Sequence, residues 1–592
     1  MLKKFYFLFL VAALLGGACS SSSTEDEGGN TNTGSNTGGS TGGGTTTGST
    51  TEINGTTIQE GNNLVGLITD STTGKGIAGV PVSDGYTIVV TDANGVYQMK
   101  ASRLCRSVYY TTPANYKVAL DPSTGVPLFY SNDISSSLKL TSSKVVDRHD
   151  FTLEPMEVEE NFTLLAIGDP QCKTDSDVAR YNNETIPDIK YTLNAAQASG
   201  RWTNAYAVTL GDITFDNTVQ WDPMKKSMSN VQLNSGYLPI FQCMGNHDHD
   251  AGQTSTYTAQ ANFIERFGPV DYSFNRGKAH IVVMDNVVCT TTSGKTWTYG
   301  AGFSDAQYSW LQQDLALVEN KSDKVVFFCA HIPFRAGGTN DSGANVNTDK
   351  YYKEVLTLLK QFKEAHIMIG HTHYPQNYIH TSYKCVGGLP IYEHVHGAAC
   401  GGWWSSNLNV DGAPNGYSIY EIEGSMVKNW VVKSTNQPED YQIRVYDGNA
   451  VYTGTKGYEY TWTAGGTGGT ASIKTSGNSA LAGQFIADIW DDDASNWKVE
   501  FIQNGVTTPM TRITFNIADM CATSFFFNEL GKNTTSWNKA LMHYWVYKPA
   551  SGKPASETGW VIRATQTIPA SGKVNVYETS SMQTDFSGFA AE

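Results

Sequence analysis

Leu238-Pro239-Ile240-Phe241-Gln242-Cys243-Met244-Gly245-Asn246-His247-Asp248 is the stretch on which the fold of this chain turns. Its first residues form an apolar run of strand length, and Met244-Gly245 closes the run with a glycine turn. The turn presents an amide oxygen, an imidazole and a carboxylate together at a strand's C-terminal edge. In open α/β sheets that edge is where ligands bind. Taken alone, the run reads as an ordinary surface turn. Four further segments of the same kind change that reading. Ile167-Gly168-Asp169-Pro170-Gln171 ends one apolar run, and Leu210-Gly211-Asp212-Ile213 ends another, with Asp216 four residues beyond Asp212. Cys329-Ala330-His331-Ile332-Pro333 and Ile369-Gly370-His371-Thr372-His373 end two more.

Strands are expected at Phe162–Ile167, Ala205–Leu210, Pro239–Met244, His280–Met284, Lys324–Ala330 and His366–Ile369. Helical period between them places helices over Ser304–Val318 and Thr348–Phe362. Alternation of this kind predicts a layered α/β domain, taken here as 158–434 and closed by the hairpin Tyr417–Ile422 and Met426–Val432. Short strands with glycine-bearing turns predict a β-sandwich over 59–157. Strand-like alternation returns over 435–592, for a second all-β domain. Between two of its strands, Asp491-Asp492-Asp493 reads as a solvated hairpin loop, with Ca²⁺ binding as the less favoured alternative.

The 592 residues are 40% hydrophobic, enough for a large core, and carry a net charge of −15. Such a charge argues against a nucleic-acid-binding surface, since non-specific phosphate binding needs a basic one. A phosphate-bearing substrate would need a local positive centre. Lys3 and Lys4, the apolar run Phe5–Leu15 and Gly16-Gly17-Ala18-Cys19 form an export signal over 1–19 that is too short to span a membrane stably. Small residues abutting Cys19 resemble a bacterial lipobox, which implies a lipoprotein of the cell envelope held to the membrane only by its lipid. Residues 20–58 are nearly all Ser, Thr, Gly and Asn and form a tether. The eight remaining cysteines show no CxxC spacing, and Cys243 and Cys329 fall inside apolar strands.

The five motifs, in this order and each after a strand, resemble the calcineurin-like metallophosphoesterase superfamily over roughly Phe162 to Val432. The flanking domains resemble those of a bacterial three-domain group within it, the N-terminal one being prealbumin-like. The resemblance implies an α/β domain built on a sandwich of two β-sheets, flanked by all-β domains. It also implies hydrolysis of a phosphate mono- or diester by hydroxide generated on two divalent ions (Mn, Fe, Zn or Mg). Asp212 would bridge the ions. Asp169, Gln171 and His373 would complete one site, and Asn246, His331 and His371 the other. His247 would stabilise the transition state and protonate the leaving oxygen, with Asp216 orienting it.

Two positions depart from the family pattern. Gln171 stands where a histidine is usual, and amide oxygen is a weaker donor than imidazole. Asp216 lies one residue further from the bridging aspartate than usual. Asp248 reads as a structural hydrogen-bonding partner. The loop His396-Gly397-Ala398-Ala399-Cys400-Gly401-Gly402-Trp403-Trp404 resembles a substrate-side segment. Stacking of a base or sugar on Trp403 or Trp404 stands beside plain core packing as its reading. A rival for the whole chain is a catalytically weakened surface binding protein on a phosphoesterase scaffold.

Overall fold

The computed structural model describes residues 51–589, apart from 123, 140–145, 203, 217, 230, 293–295, 336–349, 455–456, 469–476, 494 and 533–536. The expected export signal and lipobox, and residues 20–50 of the tether, lie outside the described residues. Glu52–Ile53 and Thr56–Thr57 pair as a small hairpin. Ile53 buries itself there against Val65 and Val96.

Two stacked sheets make the central domain. The first has the strand order β3-β2-β1-β10-β11, with β1 Asn161–Ile167, β2 Ala205–Thr209, β3 Ile240–Phe241, β10 Gly416–Glu423 and β11 Met426–Ser434. Strands β1, β2 and β3 are parallel, while β10 runs antiparallel to both β1 and β11. The second sheet has the order β4-β5-β6-β7-β9-β8. Its strands are β4 Tyr272–Arg276, β5 Ala279–Val283, β6 Val325–Cys329, β7 Glu364–Ile369, β8 Gln376–Lys384 and β9 Pro390–Val395. The parallel strands read as unbroken apolar runs because both faces are covered. Leu164 and Ala166 of β1 point into one core with Ile281, Phe327 and Ile367 of the second sheet. Leu165 and Ile167 point the other way, onto Ile186, Ile189 and Leu193 of the helix Ile186–Ala198. Between the sheets Phe241 and Phe274 stack at 3.7 Å.

The expected helices form as Asp305–Leu317, capped by Ser304 and Gln307, and Tyr352–Leu359. The N-terminal domain is a sandwich of two four-stranded sheets. It docks on the helix Asp305–Leu317 and the edge strand β4: Trp310 Nε1 donates to Ser83 Oγ at 3.0 Å, Tyr109 Oη donates to Asp271 O at 2.6 Å, and the hydroxyls of Thr111 and Ser273 meet at 3.0 Å. All eight described cysteines are buried.

Asp491-Asp492-Asp493 is neither of the two things expected of it. All three residues are buried. Asp491 accepts from Asn377 Nδ2, Trp430 Nε1 and Gln566 Nε2. Asp492 pairs with Arg512 and Trp545, and Asp493 with Asn496. The carboxylates are spent on protein donors: Asp491 ties the C-terminal domain to the central one, while Asp492 and Asp493 hold partners within the C-terminal domain itself. His280 and His366 are likewise buried and paired, on Asp314 and Glu364.

Candidate metal centre

The C-terminal ends of β1, β2, β3, β6 and β7 converge on one place, and each turn there is forced. Asp169, Gln171, Asp212, Asp216, His371 and His373 all have positive φ, between 43° and 73°. Left-handed backbone in residues with a Cβ is uncommon and gathers where surrounding structure dictates it, often at functional sites. Glycines make the close approach possible. A Cβ on Gly245 would lie 2.1 Å from Asp212 N, and one on Gly370 would lie 2.7 Å from Asp169 Oδ2.

Two groups of donor atoms result: Asp169, Asp212 and His373, and Asp212, His331 and His371, each within 4.8 Å of one another. Asp212 belongs to both. His331 Nδ1 meets the carbonyl of Leu210 at 2.7 Å, an acceptor only, so Nδ1 carries the proton. Its Nε2 then faces Asn246 Oδ1 at 3.0 Å, Asp212 Oδ1 at 3.3 Å and His371 Nδ1 at 3.2 Å. Lone pairs gathered this closely need a positive charge among them. Burial disfavours a second proton on His331, yet Asp212 outweighs burial and pushes the ring up to about 9. That proton stands where a cation would. Burial pulls His371 down to about 3 and His373 down to about 4, leaving both rings in the neutral form that ligates metal. Burial pushes Asp169 up to about 8, opposed by His331 and reinforced by Asp212. Burial would raise Asp212 too, but His331 and His247 hold it well below the usual carboxylate range.

Gln171 completes the fit. Its Nε2 donates to Asp212 Oδ2 at 2.9 Å, while its Oε1 is buried with no partner. A buried acceptor without a donor costs about 1–3 kcal/mol, and a divalent ion beside Asp212 would satisfy it. The residues present therefore suit divalent cations.

His247 lies outside both donor groups. Its backbone N–H donates to Asp212 Oδ1 at 2.8 Å, and its Nδ1 meets Asp216 Oδ1 at 2.9 Å. The extra residue before Asp216 thus does not part the pair. The ring stacks on Phe215 at 4.2 Å. Burial works against its charge, but Asp212 and Asp216 prevail and raise it above its ordinary value. Asp248 accepts from the N–H groups of Ile213, Thr214 and Gly245, clamping the two turns together.

Elsewhere the expected substrate loop divides. His396 is buried beneath the site with Nδ1 on Ile369 O and Nε2 on Tyr420 Oη, so both nitrogens are engaged inside the protein. Trp404 is buried too, donating to Pro170 O at 2.8 Å, and it backs the Asp169 turn. Only Trp403 stays half-exposed, stacked on His373 at 4.7 Å. Two positioning residues escaped the sequence reading. His249 bridges Gly245 O and Asp285 Oδ2, and Asn286 Oδ1 accepts from the N–H groups of His331 and Ile332. A signal for Asn286 was present: Asp285-Asn286 is another polar turn after an apolar strand.

Family models match three successive stretches of the chain: the N terminal of calcineurin-like phosphoesterase at 62–156, calcineurin-like phosphoesterase itself at 162–375, and its C terminal at 393–569. No curated protein matches. Among solved structures, purple acid phosphatase PPD1 from yellow lupin (Lupinus luteus) seeds is similar at 15% identity, over 61% of this chain and 69% of that one, with a TM-score of 0.31. PhoD is similar at 10% identity over 67% and 85%, also at 0.31. The NAD nucleotidase NadN of Haemophilus influenzae is similar at 11% identity over 46% and 49%, at 0.25. With its metal-suited donors and all three stretches matched in order, the chain belongs to the calcineurin-like phosphoesterase superfamily, with that superfamily's N- and C-terminal companion domains.

Proposed function

We propose that the protein hydrolyses a phosphate mono- or diester with the help of two divalent ions that share Asp212. The observation that carries this reading is the pair of donor groups meeting at Asp212, with the unpartnered Gln171 Oε1 beside it. Asp169, Gln171 and His373 would hold one ion, and Asn246, His331 and His371 the other. Two such ions polarise the phosphoryl group and yield a water-derived nucleophile at neutral pH.

The remaining steps fall to side chains. Leu210 O fixes the tautomer of His331, so that Nε2 and not Nδ1 faces the ions. Asp216 holds Nδ1 of His247, which leaves Nε2 to carry the transferable proton. The water oxygen forms the new bond to phosphorus, the ester P–O bond breaks, and the leaving oxygen takes its proton from His247 Nε2. Water's own proton passes to solvent. This scheme forms no covalent enzyme intermediate. The export signal at 1–19 supports an exported protein anchored by a lipid on Cys19, and a mass shift lost in Cys19→Ala would test that part.

The central test is elemental analysis of the purified chain beside turnover of a chromogenic phosphate ester, before and after chelation. Bound metal, turnover, loss of both on chelation and recovery with added Mn²⁺ are expected. A chain that carries metal yet cleaves no ester would favour the rival binding protein, and one that takes up no metal would end the proposal.

A further inference from the structure

The C-terminal domain reaches into the metal centre by three routes, and all of them end on the loop beside His373. The first is aromatic. His373 stacks on Trp403, Trp403 meets Trp537 at 4.2 Å with the rings tilted by 49°, and Trp537 packs on Phe526 at 6.0 Å. Trp537 and Phe526 belong to the C-terminal domain. The fit is close enough to demand glycine: a Cβ on Gly402 would lie 2.5 Å from Phe526 Cε1. The second route is backbone. Lys539 N donates to Val410 O at 2.7 Å, and Val410 N donates to His373 O at 3.3 Å. The third is ionic. His543 lies between Asp488 at 2.6 Å and Asp411 at 3.3 Å, both fully buried, while Arg444 donates to Gly412 O at 2.7 Å.

These ties converge on a ligand that cannot hold its place unaided. His373 and Trp403 both lie in the left-handed region, at φ 58° and 48°, so the surrounding structure must impose their backbone. A metal-binding imidazole also needs its ring orientation set from outside the ligand shell.

Building on the functional reading above, we propose that the C-terminal domain is a positioning element of the active site, acting through Trp537 and Trp403 on His373. It thereby sets the affinity of the Asp169–Gln171–His373 site alone. This gives the fused domain a task in the central domain's chemistry beyond adding a second core.

The test uses the full chain and Mn²⁺ as probe. Trp537→Ala should weaken one of two Mn²⁺ sites about tenfold or more, with the other unchanged, and Trp537→Phe should restore most of the loss. Trp560→Ala removes an indole from the separate core around Phe485 and Phe501, and it should leave both sites intact. In a His373→Ala background, Trp537→Ala should have no further effect on Mn²⁺ affinity, because the ligand it positions is gone. Wild-type affinities at both sites in Trp537→Ala would overturn the inference while leaving the functional reading standing. So would equal weakening of both sites, or equal weakening by Trp560→Ala. A wild-type chain that binds no Mn²⁺ would overturn both.

Discussion

Replacing His247 by alanine separates proton donation from metal binding. The ring touches Asp216 and Phe215 and belongs to neither donor group, so the variant should keep its full complement of metal. What it loses is the Nε2 proton. A positioned general acid contributes roughly 10²–10⁴-fold, or about 3–5 kcal/mol of barrier at ~1.4 kcal/mol per tenfold. The full loss should appear with an alkyl ester, whose alkoxide leaves poorly. With an aryl ester of an acidic phenol the leaving oxygen needs no proton, and the deficit should shrink towards unity. pH adds a second handle. Burial opposes charge on His247, and Asp212 and Asp216 favour it; cations held on Asp212 would offset its share and leave Asp216 as the partner that sustains the protonated donor. Turnover of the alkyl ester should fall as rising pH deprotonates His247, and Asp216→Asn should move that fall to lower pH. The assay is kcat and kcat/KM for the two esters across pH, beside metal analysis. Equal losses for good and poor leaving groups, or loss of metal from His247→Ala, would refute the reasoning.

Asp212→Asn should strip both ions and nearly all hydrolysis with the fold retained, measured by elemental analysis and circular dichroism. Two ions and ordinary turnover would contradict a shared ligand. The wild type should hold one ion tightly and lose the other on dialysis, since Gln171 offers amide oxygen where imidazole binds late first-row ions better. Gln171→His should retain both, and two equally tight ions in each protein would remove Gln171 from control of that site. Burial disfavours a charged His543, but Asp488 and Asp411 outweigh it and push it up to about 10, above its ordinary 6.5. A folded value above the unfolded one stabilises fully below about pH 6.5, and the gain is lost as pH rises to about 10, with a ceiling of roughly 5 kcal/mol. Urea unfolding of wild type and His543→Gln should differ most at pH 6 and converge near pH 10, and a gap independent of pH would contradict this.

Much of the centre was legible because its ligands come from short chain segments with a local signature. A buried parallel strand is an apolar run, and a ligand turn after it needs glycine and a polar side chain within a few residues. Asp169, Asp212, Asn246, His371 and His373 carry that signature, while His331 follows its apolar strand with no glycine beside it. The order of the five motifs then implied the two stacked sheets. The strands at Gln376–Lys384 and Pro390–Val395 and the helix Ile186–Ala198 were missed. The two strands carry many polar and histidine residues whose burial is made tolerable by partners distant in sequence, such as Asn377 with Asp491.

The sequence by itself determined which residues gather at one sheet edge, because strand period, glycine turns and ligand chemistry are properties of neighbours along the chain. It could not determine what those residues meet across the fold. Asp491-Asp492-Asp493 has the composition of a solvated or calcium-binding loop, and only Trp430, Gln566, Arg512 and Asn377, supplied from elsewhere, bury it and make Asp491 a dock. The spacing of Asp216 left its contact with His247 open, and tertiary packing closes it at 2.9 Å. Trp403 and Trp404 are adjacent and alike in sequence, yet one backs Pro170 in the core and the other links His373 to Trp537. Pairing between distant side chains depends on three-dimensional proximity, and that is fixed only when the sheets and the C-terminal domain pack together.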